Sequence, residues 1–278
     1  ERIGNHYKHS ANIGGSYNNH VFLGVNLNFH QIEFQERKKF YEYGYSDNSN
    51  IQSINFNEYY NSDGFGFSVQ FGSIIKIRNF RIGLSYQSPT WLDFVEENEQ
   101  TLDTSVKSNN QIKTYNIDPK TVNIYDKYRL RLPSKSLIGF SYIFAKRGLI
   151  SFDYEITKYN NAMFPDNDDN YLNELNYIID NELNPTSQSI RLGGEYRIKN
   201  GSLRAGYFNY KGPENLKENK ISGFSLGYGL DLGASRIDIT YVFQTSYFTN
   251  NLYPKGLTTL YSTDKSINKI IASYHFNF

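Results

Sequence analysis

The connections in this chain constrain its fold more than the segments they join. Stretches that alternate apolar and polar side chains are linked by tight turns and by long polar connectors, in strict alternation. The tight links are Asn18-Asn19, Arg78-Asn79, Lys146-Arg147-Gly148, Lys199-Asn200-Gly201 and Gly233-Ala234-Ser235. The long ones run over residues 35–63, 93–127, 160–188, 211–220 and 249–262, and are rich in Asn, Asp, Glu and Lys. Connections this long are uncommon inside compact domains. A transmembrane β-barrel has this asymmetry, with short turns at one end and long loops at the other. Soluble sandwiches and propellers do not need it.

The segments themselves read as strands, because side chains along a strand point to alternate faces. The expected strands are 10–17, 21–34, 64–77, 80–91, 128–144, 149–159, 189–198, 203–210, 221–232, 237–248 and a closing strand over 264–278. In 189–198, Ile190, Leu192, Gly194, Tyr196 and Ile198 share a face opposite Arg191, Gly193, Glu195 and Arg197. Phe152, Tyr154 and Ile156 oppose Asp153 and Glu155; Ile237, Ile239 and Tyr241 oppose Asp238; Arg204 lies opposite Leu203 and Ala205. An Arg facing lipid at mid-bilayer costs about 2–4 kcal/mol. Asp153, Glu155, Arg191, Glu195, Arg197, Arg204 and Asp238 are therefore expected to line a lumen and to pair across strands. Asn200-Gly201 is a strong short hairpin signal. The closing strand places Ile270, Ala272, Tyr274, Phe276 and Phe278 on one face and ends on an aromatic residue.

Composition removes several classes. Formal net charge is +1, so there is no basic footprint for nucleic acid. There is no cysteine, so neither disulfides nor thiolate metal sites exist. His6, His9, His20, His30 and His275 show no metal-ligand spacing, no serine has nucleophile-elbow context, and no cofactor is implied. Asp166-Asn167-Asp168-Asp169-Asn170 lacks the Gly and distant Glu of an EF-hand loop and reads as solvated. No run of about 18 apolar residues exists, which excludes helical membrane spans but not strand spans. Tyr 25 and Phe 20 against Trp 1 suit β-structure and interfacial aromatic girdles. Trp91, after Ser88-Pro89-Thr90, reads as an interfacial anchor. No linker divides the chain, so residues 1–278 are expected to form one domain.

Four hairpin motifs are similar to those of the OmpP1/FadL/TodX family of outer-membrane transporters, in the form common in the Bacteroidota. They are Gly64–Gly72 with Phe80–Thr90, Leu132–Phe144 with Gly148–Glu155, Arg191–Arg197 with Leu203–Tyr207, and Gly227–Gly229 with Ile237–Tyr241. The resemblance implies an all-β, antiparallel up-and-down barrel of 14 strands, about eleven of them in this chain. It also implies a Gram-negative outer-membrane location, a luminal hatch, and passive uptake of long-chain fatty acids or other hydrophobic compounds. The expected partners are outer-membrane lipids, the assembly machinery that reads Tyr274, Phe276 and Phe278, and a hydrophobic ligand. The family's Asn-Pro-Ala-type hatch motif is absent, which places the hatch and first strands upstream of Glu1. Two other readings stand beside this one. The first is a barrel of the same fold serving as an accessory subunit of a larger outer-membrane complex, for which the long polar loops supply surface. The second is a soluble extracellular β-domain. The luminal Arg residues read either as contacts for an anionic head group or as a structural ion-pair network.

Overall fold

A computed structural model describes residues 1–46, 48–109, 111–144, 147–165, 169–183, 186–213, 219–251 and 259–276. The strands are β1 (Arg2–Tyr17), β2 (Val21–Tyr43), β3 (Ile51–Ile77), β4 (Phe80–Gln87), β5 (Thr90–Ser108), β6 (Gln111–Ile117), β7 (Asn123–Ile124) and β8 (Tyr128–Leu132). They continue as β9 (Ser134–Phe144), β10 (Gly148–Lys158), β11 (Ser187–Ile198), β12 (Gly201–Lys211), β13 (Lys220–Asp231), β14 (Ser235–Asn251) and β15 (Leu260–Phe276). One sheet follows the order β1-β2-β3-β4-β9-β10-β11-β12-β13-β14-β15, which is the expected eleven strands; β5 pairs with β3, β6, β7 and β8. The register pairs from β3 to β15 along this order are antiparallel. Asn18 and Asn19 both take positive φ, 47° and 54°, the backbone of a two-residue hairpin turn whose twist matches its strands.

The chain forms two compact units, and β1, β2, β3, β5 and β8 contribute residues to both. The larger comprises Ala11–Leu27, Val69–Thr90 and Arg131–Phe278. Its strands β9 to β13 are 11 or 12 residues long, close to the ~9–11 that cross a bilayer at a tilt. Cross-strand register builds an unbroken apolar rung, Phe140–Phe152–Leu192–Tyr207–Phe224–Phe243. The next rung on that face is Tyr142–Ile150–Gly194–Ala205–Leu226–Tyr241–Ile270. These side chains are largely exposed; Leu226 is at 55% and Ile270 at 79%. Among the described residues only Leu92, Phe94 and Leu172 are buried apolar side chains, whereas Asn28, Ser68, Thr90, Ser134 and Ser187 are among the buried polar ones. Water would penalise this inside-out pattern heavily, and lipid removes the penalty. A soluble β-domain is therefore the reading that the structure disfavours.

Proline accounts for two breaks in strands expected to be continuous. Strand 80–91 stops at Gln87 and resumes at Thr90, because Pro89 has no N–H. Ser88 closes the ladder instead: its N–H donates to Val69 O (2.8 Å), and its Oγ accepts from Val69 N–H (3.0 Å). Strand 128–144 divides at Pro133 for the same reason. The expected loop 160–188 carries helix α1 (Asn170–Glu182). Its N-cap is Asp169, whose side chain accepts from Tyr171 N–H (2.8 Å). Residues 166–168 of the acidic run, and Phe278, lie outside the described residues.

The smaller unit comprises Glu1–Ser10, Asn28–Ser68 and Trp91–Leu130. It corrects the loop expectation: much of 35–63 and 93–127 is strand, with β3 and β5 in register from Ile51↔Val106 to Phe67↔Trp91. These residues are polar on both faces, so no alternation marks them. Cross-strand pairs hold the register instead, among them Asn57 to Thr101 (3.3 Å), Asn55 to Asp103 (3.3 Å) and Ser105 with Thr114 (3.1 Å). Leu92 and Phe94 are its buried apolar side chains, with Phe94 stacked on Tyr128. A Cβ on Gly66 would strike the Trp91 carbonyl oxygen and lie 2.6 Å from Leu92 Cδ2. Gly66→Ala should destabilise the fold by about 1–3 kcal/mol, read as a lowered denaturant midpoint.

An ion network ties β1, β2 and β3 together here. Lys38 Nζ lies 3.2 Å from both Glu36 and Glu58, and Glu36 also accepts from Arg2. The Arg2 hydrogen bond holds the Glu36 carboxyl below its ordinary value. Donation from Asn98 and Gln100, then Lys38, does the same for Glu58. The Glu58 and Glu36 carboxylates raise the Lys38 ammonium. The depressed carboxylates stabilise the unit above the unfolded value of 4.5 and lose that contribution as pH falls through their lower folded values. The raised Lys38 contributes below 10.5 and loses its effect as pH rises through its folded value. Amide exchange in residues 35–43 and 51–60, corrected for intrinsic rates, should accelerate below about pH 4.3, the ordinary Glu range, and again above about pH 10.4, that of Lys.

Candidate functional site

The polar face of the larger unit carries every charged residue expected to line a lumen. Parity places Asp153, Glu155, Arg191, Glu195, Arg197, Arg204 and Asp238 there, with Asp153 opposite Arg191 and Glu195 opposite Arg204 in register. Six of the seven fall into two groups, and Asp153 joins neither among the described ion pairs. In the first, Arg191 Nη2 reaches Glu155 Oε2 at 3.0 Å. In the second, Arg197 binds Glu195 (2.7 Å), Arg204 bridges Glu195 (2.8 Å) and Asp238 (2.6 Å), and Arg236 reaches Asp238 (3.0 Å). His275 Nε2 stands 3.8 Å from the same Asp238 carboxylate. Arg236 and His275 were not among the expected members, although both share the parity of Asp238 and Ser273 on their strands.

Arg204 is the hub, since its fork serves two carboxylates on different strands. Glu195 keeps Arg197 and Asp238 keeps Arg236 when Arg204 is removed. Arg204→Gln should therefore lower stability by about 1.5–3 kcal/mol, the range for a hydrogen bond to a charged group, and not abolish folding. A denaturant titration checks this.

A second feature of the face was not expected. A cavity of about 480 Å³ opens among β2, β3, β4 and β9. Its floor is Gly24, Gly72 and Gly83, and Phe22, Ile74 and Leu137 stand around it. Ile74 faces Gly83 and Gly72 faces Ser85 in register. The glycines keep the floor bare: nothing lies within 4 Å of where a Gly72 Cβ would sit. Amides close one end, with Asn26 Nδ2 donating to Gln70 Oε1 (3.3 Å) and Gln70 Nε2 to Ser85 Oγ (3.1 Å). A cation closes the other, where Lys76 Nζ sits 4.0 Å over the Phe22 ring. Lys76 faces Arg81 in register, so a cationic rung borders the apolar one. The missed signal was Phe22, Ile74 and Leu137 at polar-face positions beside glycines.

Among the aromatic residues, Trp91 stacks on Phe67, centroids 5.3 Å apart, and Phe67 shares the apolar parity of Phe65 and Phe71. Tyr274 and Phe276 pack edge to face at 4.6 Å on β15. Among the described residues no three His, Asp or Glu gather as a metal site, and no helix is long and apolar enough to cross a membrane.

No protein-family model matches this chain, and no curated protein matches it. Solved structures do. A FadL homologue of Pseudomonas aeruginosa superposes with TM-score 0.60 at 11% identity, over 98% of this chain and 67% of its own. The toluene transporter TbuX of Ralstonia pickettii gives 0.55 at 11%, over 99% and 68%. The monoaromatic hydrocarbon channel CymD gives 0.51 at 12%, over 96% and 72%. The fold is that of the FadL-type outer-membrane β-barrels.

Proposed function

We propose that this chain, a barrel of FadL-type fold, is a channel of the Gram-negative outer membrane for passive uptake of hydrophobic compounds, long-chain fatty acids foremost. The observation that carries the reading is the apolar cavity set into the face that bears the charged residues. Phe22, Ile74 and Leu137 have no structural need to be there, because the opposite face already meets lipid. Glycine at three neighbouring floor positions leaves room for a chain rather than a side chain. The rung of Lys76 and Arg81 favours an amphiphile with an anionic head over a neutral hydrocarbon. The named neighbours include a toluene transporter and a monoaromatic hydrocarbon channel, which supports the hydrophobic class.

Gly72→Val is the informative variant. Its Cβ meets open space, and a β-branched residue suits a strand, so folding should survive while the cavity fills. Uptake of oleate by cells relying on this protein should fall about tenfold, as expected if roughly 1.4 kcal/mol of binding is lost. Unchanged oleate and toluene uptake would overturn the reading. The accessory-subunit reading draws on the smaller unit, whose strands present amides and carboxylates in place of apolar capture surface. Stoichiometric co-purification with other outer-membrane proteins, alongside uptake insensitive to Gly72→Val, would favour it.

A further inference from the structure

A separate cavity of about 300 Å³ lies on the polar face beside the tight turns, lined by Arg81, Ile143, Arg147, Leu149, Glu195 and Arg197. Three guanidinium groups meet one carboxylate there. That carboxylate is already committed: Glu195 Oε1 takes Arg197 and Oε2 takes Arg204. Among the described residues, neither Arg81 nor Arg147 has a carboxylate partner. Arg147 is held in place through its backbone, whose carbonyl accepts from Arg197 N–H (2.8 Å). The floor beside Arg81 is small, since Arg81 faces Ser141, Ser141 faces Ser151, and Ser151 faces Gly193. All three guanidinium groups are exposed to the cavity, and like charges gathered there repel one another, a repulsion that an entering anion relieves.

We propose that Arg81, Arg147 and Arg197 form an oxyanion site that takes a carboxylate or phosphate group. Planar guanidinium forks match both groups bidentately. The cavity is the size of a head group with a few carbons, not of a long tail. Arg81 stands two residues along β4 from Gly83, about 7 Å on the same face, and Gly83 is floor of the apolar cavity. A head group at Arg81 thus leaves its tail beside that floor. The tail's destination rests on the channel reading; the anion site does not.

Calorimetric titration of the native protein, purified from membranes into a non-ionic detergent, tests this with three probes: inorganic phosphate, decanoate and 1-decanol. Wild type should bind at least one of the two anions, and R81Q/R147Q should weaken that binding by at least about tenfold, the effect of losing a charge-assisted contact. Circular dichroism checks that the variant keeps its β-signal, and unchanged decanol binding checks that the apolar cavity is intact. Should the variant misfold, the single changes R81Q and R147Q carry the test. Loss confined to decanoate identifies an amphiphile's head group; loss confined to phosphate identifies a free ion; both support the site. Anion binding equal in wild type and variant, or absent from wild type, overturns it. Phosphate binding retained with no decanoate or decanol binding would instead sink the channel reading alone.

Discussion

Backbone hydrogen bonding without water is the constraint on which this structure depends. In hydrocarbon each unpaired N–H or C=O costs several kcal/mol, so a strand can cross only when both its edges are paired. The ladders from β9 to β14 meet that demand residue by residue. Once the backbone is satisfied by neighbours, the side chains are free of it. One face can be wholly apolar, as in the rung from Phe140 to Phe243, while the other carries full charges. The scarcity of buried apolar side chains follows directly: the hydrophobic surroundings of this fold are the bilayer, not a core of its own.

The same separation explains the ion pairs. Glu195 and Arg204 sit opposite each other because strand register, not local sequence, brings them together. Arg204 on β12 reaches Glu195 on the adjacent β11 and, across the glycines of β13, Asp238 on β14. Pairs of this kind hold register, because a one-residue slip would send Arg204 toward lipid. They also neutralise one another. What distinguishes Arg81 is that its register partners are Ser141 and Lys76, neither of which can neutralise it, and Arg147 stands in a turn; neither has a carboxylate partner among the described residues.

Legibility in the sequence followed this physics. The turn at Asn18-Asn19 was readable because asparagine tolerates the backbone that a hairpin needs; in the later hairpin the turn residues are Lys199-Asn200, with Lys199 at positive φ and Gly201 already paired with Ile198, one position before the Asn-Gly signal. The eleven-strand order and the charged face were readable because one apolar face per strand produces alternation, and Asp153, Glu155, Arg191 and Glu195 fall on it without exception. The strands over 51–63 and 93–108 were not, because Asn, Thr, Glu and Tyr on both faces give no period. Their order comes from partners that lie far apart in sequence, Asn57 with Thr101 and Asn55 with Asp103. The apolar cavity was hidden for a related reason. Phe22, Ile74 and Leu137 stand on three strands, and each looks like a lone exception to its own alternation.

Such exceptions carry information only in combination. A single Phe on a polar face is tolerable noise; three apolar residues around three glycines, in register across adjacent strands, make a concavity. Alternation is what the membrane requires of every strand, so it cannot distinguish one barrel from another. Departures from alternation are where one barrel becomes specific. In this chain three apolar ones, Phe22, Ile74 and Leu137, gather at one place, and one rung further stand Lys76 and Arg81, which have no carboxylate partner among the described residues. That adjacency of a bare apolar trough and uncompensated positive charge is the arrangement an anionic amphiphile requires, and a uniform lining of ion pairs would not provide it.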